Sequence, residues 1–218
     1  MPVQKTITAY TFAELSKEAK QHAREKFRDI NMEHGWWEHV YEDADTIAAM
    51  IGIEIERREH RQRKNYDGGA DIQFSGFASQ GDGASFTGTW TYEENGAAAV
   101  RDHAPLDEKL HAIADELDRL GRQFGPNWRA TITRSHRGGN YVHENMVDID
   151  LEDTDDEDTS FTTEQDKAIG EALRSFMTWI YRQLEAEYFA QTNDEAVDET
   201  IKANEYLFTE AGSRCAAL

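Results

Sequence analysis

Apolar residues recur along the first fifty positions at intervals of three and four. Phe12, Leu15, Ala19, Ala23, Phe27 and Ile30 fall on one helical face, while Lys17, Glu18, Lys20, Glu25 and Lys26 fall largely elsewhere. A short strand is predicted over residues 3–10, and Thr11-x-x-Glu14 has the spacing of a capping box that opens the helix. Gly35 breaks the run, and a second stripe follows through Trp36, Val40, Ala44, Ile47 and Ile51. The two helices are expected to pack as a hairpin over about residues 11–51.

After Gly52 the period changes from helical to alternating. Ile53 and Ile55 are apolar between Glu54 and Glu56, and Ile72, Phe74 and Gly76 alternate with Asp71, Gln73 and Ser75. Beyond a glycine-rich turn the alternation resumes at Phe86, Gly88, Trp90 and Tyr92, which together reads as a β-hairpin. Pro105 precedes a third helix with Leu106, Leu110, Ile113, Leu117 and Leu120 in one stripe, ending near Gly121 or Gly125-Pro126. Two further strands, residues 128–135 and 140–151, flank Arg137-Gly138-Gly139 as a hairpin turn. A long helix then carries Ile169, Leu173, Phe176, Met177, Ile180, Leu184 and Tyr188 on one side. A short helix near 194–203 and a strand at 206–208 close the chain. Strands follow one another in the middle and helices gather at the ends. The reading is therefore α+β, with a mainly antiparallel central sheet flanked by an N-terminal helical hairpin and a long C-terminal helix. With no linker rich in Pro, Gly or Ser, the 218 residues are expected to form one domain: hairpin about 11–51, sheet and third helix about 53–151, C-terminal helices about 162–204.

Charge changes this picture. The chain carries 43 acidic and 23 basic side chains, a formal charge of −20, yet 11% aromatic residues argue that it folds. A field of that sign repels nucleic-acid phosphates and attracts basic protein surfaces, so direct nucleic-acid binding is not expected, and it suits a protein that mimics DNA; solubility alone would suit it as well, so charge by itself does not decide. The single cysteine, Cys215, excludes an internal disulfide and a cysteine-based zinc site. No stretch of about 18 apolar residues occurs, so a cytoplasmic protein without membrane contact is expected.

The segment Phe74-Ser75-Gly76-Phe77-Ala78-Ser79-Gln80-Gly81-Asp82-Gly83-Ala84-Ser85-Phe86 resembles the signature of a family encoded by bacteriophages and prophages, in which Ser-Gly-Phe, Ser-Gln-Gly-Asp-Gly-Ala and an aromatic recur. The stretch from Thr11 to Lys20, the Trp36-Trp37 pair before Val40-Tyr41-Glu42-Asp43, and Asn193-Asp194-Glu195-Ala196 with Ala203-Asn204-Glu205-Tyr206-Leu207-Phe208 look similar to it too. Some members carry an automatic label as the antitoxin of a toxin–antitoxin stability system. The resemblance implies a phage accessory protein acting inside a bacterial cell, in a class that includes proteins which bind and disable host factors.

Two groups of residues are candidates for binding. Ser75, Ser79, Gln80, Gly81, Asp82, Gly83, Ser85 and Phe86 lie at the glycine-rich turn, where backbone N–H groups can approach an anion or nucleotide. The same residues can instead make a tight turn whose side chains hydrogen-bond its own backbone. A Walker-type site is excluded, because no lysine follows the glycines. For a partner protein, Trp37 and the acidic residues Asp155, Asp156 and Asp158 are the candidate contacts, although tryptophans at helical spacing are more often core. Asp153, Asp155, Glu157 and Glu164 match a calcium-loop spacing poorly, since Asp158 stands where that loop turns on glycine. The densest basic stretch, Arg57, Arg58, Arg61, Arg63 and Lys64, could contact a phosphate or an acidic protein, or simply be solvated.

No histidine spacing supports a metal, no nucleophile elbow appears, and no catalytic residue or cofactor is expected. The expected function is a non-enzymatic binding protein that neutralises a host protein with a basic surface, in a counter-defence or antitoxin-like role. The alternative is a small-ligand or nucleotide binder, a signal sponge, using the glycine-rich turn at residues 79–86.

Overall fold

The computed structural model describes residues 8–32, 35–58, 68–125, 127–135, 142–155 and 161–215. In chain order these form β1 (Tyr10–Thr11), α1 (Lys17–Phe27), α2 (Glu38–Met50), β2 (Ile53–Ile55), β3 (Arg57–Arg58), β4 (Gly68–Ala70), β5 (Ile72–Phe74) and β6 (Ala84–Phe86). There follow β7 (Gly88–Thr91), α3 (Gly96–His103), α4 (Glu108–Phe124), β8 (Trp128–Arg134), β9 (Val147–Asp153), α5 (Thr163–Thr192), α6 (Asp194–Ala203) and β10 (Leu207–Phe208). The class is α+β, with antiparallel strand pairing throughout the described residues. Contacts divide the chain into two compact units, Met1–Trp37 with Glu185–Leu218, and Glu38–Leu184.

In the first unit, α1 packs against α6 around Phe12, Leu15, Ala19, Ala23, Val197, Ile201 and Phe208. Phe12 and Phe27 both meet the Phe208 ring edge-on, at 6.0 and 6.1 Å. The Thr11–Glu14 pair is made, with the Thr11 N–H donating to Glu14 Oε2 at 2.8 Å, but it closes a short 3-10 helix, Phe12–Glu14. The α-helix itself starts later, because Ser16 Oγ takes the Ala19 N–H and provides its N-cap. Helix α6 spans the predicted residues and is capped by Asn193, whose side chain accepts from the Ala196 N–H. Arg24 grips Asp198 through two 2.7 Å bonds and ties α1 to α6.

The second unit is built on a four-stranded sheet in the order β2-β7-β8-β9. Ile53 pairs with Trp90, Trp90 with Ala130, and Ala130 with Leu151, so one face of the sheet is apolar. Ile169, Leu173, Phe176, Met177, Ile180 and Leu184 of α5, all fully buried, carry the predicted stripe. Helix α2 packs against β2, β4 and α3, whereas α1 has α6 as its partner, so the two helices predicted to form a hairpin have their partners in separate units.

Two differences from the sequence reading have local physical causes. The alternating run through residues 72–92 is not one hairpin: β5 pairs with β6, and then the chain changes sheets at Gly88 to continue as β7. A Cβ at Gly88 would stand 2.1 Å from the Glu54 carbonyl oxygen, so only glycine lets β7 approach β2 this closely. Helix α3 was not predicted, since Gly96-Ala97-Ala98-Ala99 offers no apolar stripe. Helix α4 runs through Gly121, where the Tyr92 ring occupies the space of a side chain, and stops at Gly125 with φ +94°.

Candidate functional site

The glycine-rich signature joins β5 to β6, and most of its polar groups are engaged with one another. The Asp82 carboxylate accepts from the Ala78 and Ser79 N–H groups at 3.0 and 2.6 Å, and the Asp82 N–H donates to the Ser79 carbonyl at 3.2 Å. Gly81, at φ +97°, makes the reversal possible. Ser75 closes the base of the turn. Its N–H donates to the Gly83 carbonyl, its Oγ accepts from the Gly83 N–H at 3.2 Å, and the same hydroxyl donates to the Val142 carbonyl at 3.0 Å.

The turn is packed from outside as well. A Cβ on Gly83 would lie 3.0 Å from His143 Cα, so the segment before β9 rests directly on the glycine backbone. The Tyr181 hydroxyl of α5 donates to the Gly76 carbonyl at 3.1 Å, and its ring stacks on Phe77, which stacks in turn on Phe74. Tyr41 meets Phe74 edge-on at 6.4 Å. Burial pushes the Tyr41 phenol up to about 12, against the opposing pull of the Arg58 guanidinium over its ring.

The structure thus brings Ser75, Asp82 and Gly83 together as one hydrogen-bonded turn. Ser79 and Gln80 stand exposed at its tip, and Gly81 is half-buried beside them. Ser85 and Phe86 lie inside, with Phe86 fully buried and edge-on to Phe176 at 6.1 Å. Of the partner-binding candidates, Trp37 belongs to the first unit, half-buried, its ring perpendicular to that of Trp36 at 5.8 Å; Trp36 lies 6.1 Å from Tyr188. Asp155 is exposed, accepts from the Asn127 amide, and donates its N–H to Asp153 Oδ1 at 2.9 Å. Asp156 and Asp158 lie outside the described residues, as do Arg61, Arg63 and Lys64. Among the described residues no group of three or more His, Cys, Asp or Glu is arranged to hold a metal ion, and no helix is long and apolar enough to cross a membrane.

A feature that the acidic run only partly signalled is the strand preceding it. β9 is an edge strand of the four-stranded sheet, and Asp148, Asp150 and Glu152 are exposed along one of its faces. Alternation places successive carboxylates about 6.8 Å apart. Their cross-strand neighbours are Thr133, Thr131 and Arg129, and Arg129 reaches Glu152 at only 3.7 Å. Among the described residues, Arg24, Arg28, Arg57, Arg101, Arg119 and Arg122 are each held by a carboxylate of their own unit. The surplus charge of the chain is therefore displayed as carboxylate.

Residues 36–194 match the model of a family described as a domain of unknown function (DUF8835). The match takes in the glycine-rich signature, the Trp36-Trp37 pair and β9, and its description names neither an activity nor a source. Comparison with curated proteins and with solved structures found no match.

Proposed function

We propose that this chain, which belongs to the DUF8835 family, is a non-enzymatic binding protein that engages the basic surface of a partner protein through the acidic face of β9. The observation that carries the reading is the row of exposed carboxylates at Asp148, Asp150 and Glu152 on an edge strand, in a chain of charge −20. Evenly spaced negative groups on a rigid strand compete for surfaces that nucleic-acid phosphates would otherwise occupy, which supports a DNA-mimicking mode of inhibition. The likeness of the segment Phe74 to Phe86 to phage and prophage proteins supports a bacterial host protein as the target and a counter-defence or antitoxin-like role.

The test is affinity isolation from bacterial lysate at low ionic strength, with the full chain and with a triple variant, Asp148→Asn, Asp150→Asn and Glu152→Gln. The expected result is one retained protein that is released by raised salt and by competing double-stranded DNA, and that the triple variant fails to retain. Retention of the same protein by the triple variant would overturn the assignment of β9, and absence of any retained protein would overturn the function.

A further inference from the structure

Arg58 on β3 and Arg134 at the end of β8 converge on a single carboxylate, Asp71. Arg58 Nε reaches Asp71 Oδ1 at 3.3 Å, and Arg134 Nη2 reaches Asp71 Oδ2 at 3.0 Å. Other arginines held by carboxylates are balanced in number: Arg24 and Arg28 together face Asp194 and Asp198, and Arg57, Arg101 and Arg122 pair with Asp45, Asp115 and Asp118. Here two guanidiniums share one carboxylate. In a chain with nearly twice as many acids as bases, it leaves a local positive excess.

Both guanidiniums are fixed rather than loosely displayed. Arg58 lies over the Tyr41 ring at 5.5 Å and donates to the Ile72 carbonyl. With the Gln73 amide turned so that its oxygen faces Arg134, the orientation that satisfies both groups, Arg134 donates to that oxygen from Nη2 and Nη1 at 2.6 and 3.0 Å. Each side chain is nevertheless 44% exposed, and the five N–H donors of each guanidinium outnumber these contacts. Two pre-positioned, solvent-reachable forks with a net positive charge are the donor set that recognises a tetrahedral oxyanion, because planar guanidinium groups match phosphate geometry two bonds at a time.

We infer that Arg58 and Arg134, braced by Asp71 and Gln73, form a binding site for a phosphate group. The site is separate from the acidic face of β9 and does not depend on it. A phosphate there would accept from both arginines, with Asp71 setting the spacing of the forks and weakening the site by its charge.

The test is thermal denaturation of the full chain in sodium phosphate against sodium chloride at equal ionic strength. The wild type and three variants would be compared: Arg134→Gln, Asp71→Asn, and Arg101→Gln, which removes an arginine remote in sequence that pairs with Asp115. Phosphate is expected to raise the Tm of the wild type and of Arg101→Gln by a few degrees. The rise is lost in Arg134→Gln and reached at several-fold lower phosphate in Asp71→Asn. A network with only a structural role would lower every Tm without changing the response to phosphate. Should Arg134→Gln fail to fold, the Asp71→Asn titration decides alone. Equal Tm in phosphate and chloride for the wild type, or an unchanged phosphate response in the variants, would overturn the proposal. Parallel titrations with phosphoserine and a nucleoside 5′-monophosphate identify the carrier: the one acting at the lowest concentration supplies the phosphate, and inorganic phosphate acting as well as either assigns the free ion.

Discussion

The Trp179 indole N–H donates to Asp107 Oδ2 at 2.8 Å, while Asp107 Oδ1 accepts from the Leu110 N–H and caps α4. One carboxylate thus starts one helix and holds the buried tryptophan of another. Asp107→Ala removes the cap, worth about 1 kcal/mol, and leaves the Trp179 N–H without its acceptor at a further cost of about 1–3 kcal/mol. Urea denaturation is expected to show a loss of about 2–4 kcal/mol on these grounds. Asp107→Asn keeps an oxygen for one of the two bonds and falls between. Equal stability of Asp107→Ala and wild type would show that neither bond matters.

Gly88 and Gly69 separate close packing from backbone strain. At Gly88 an added methyl would stand 2.1 Å from the Glu54 carbonyl oxygen, at the end of the β2–β7 ladder where Gly88 pairs with Ile55. At Gly69 the same methyl meets nothing within 4 Å, and only its φ of +47° opposes a side chain. Gly69→Ala is expected to cost about 1 kcal/mol, and Gly88→Ala more than about 3 kcal/mol or the fold itself. Denaturation midpoints of the two variants test the order; a milder effect at Gly88 would contradict the strand register.

How far the fold was legible follows from which residues carried a period. The stripe through Ile169 and Leu184 gave α5, because helical spacing is local, whereas the Asn193 cap that opens α6 is read from the structure. β8 follows the predicted strand at 128–135, whereas β9 runs from Val147 to Asp153 and not 140–151, because Glu144–Met146 form a 3-10 turn ahead of it. Helix α3 was not legible, since three alanines in a row carry no face, and the sheet change at Gly88 was hidden because β5, β6 and β7 share one alternation. The candidate turn was legible as a turn through its glycines. The Arg58–Asp71–Arg134 group was not, because 63 residues separate Asp71 from Arg134 and only the register of strands in different sheets brings them together.

Alkaline stability should report on Tyr41. Its phenol stays protonated in the folded protein up to about 12, whereas in the unfolded chain it ionises near its ordinary value of 10. A raised folded pKa contributes stability that is fully present below pH 10 and lost as the pH rises toward 12. Two pH units correspond to about 2–3 kcal/mol. Tyr41→Phe is therefore expected to lose less stability than wild type between pH 10 and 12, measured as the difference between the two urea profiles. Parallel profiles would place the phenol in water.

Acid stability runs the other way. The Arg28 guanidinium holds the Asp194 carboxyl below its usual range, and the Thr11 N–H does the same for Glu14. A depressed folded pKa gives stability that is present above the unfolded value and lost as pH falls through the folded one. Arg28→Gln should remove part of this acid-sensitive stability. Its profile is expected to lie below wild type at neutral pH and to converge with it in acid, below the folded pKa of Asp194. Both profiles keeping a constant separation down to low pH would exclude the ion pair as the cause.

Asp82 distinguishes what the signature turn is for. Its carboxylate is already bonded to the Ala78 and Ser79 N–H groups, so Asp82→Ala leaves two backbone donors to find water at the exposed tip. The expected cost is about 1 kcal/mol, near the net value of a solvent-exposed hydrogen bond. Asp82→Asn keeps one acceptor oxygen and should recover most of it. A turn that serves only to connect β5 and β6 loses stability in this order and nothing else. If Asp82→Ala instead left the midpoint unchanged while abolishing a nucleotide-induced rise in Tm, the carboxylate would be acting on a ligand. In that case the exposed pair Ser79 and Gln80 beside it would be the next residues to replace.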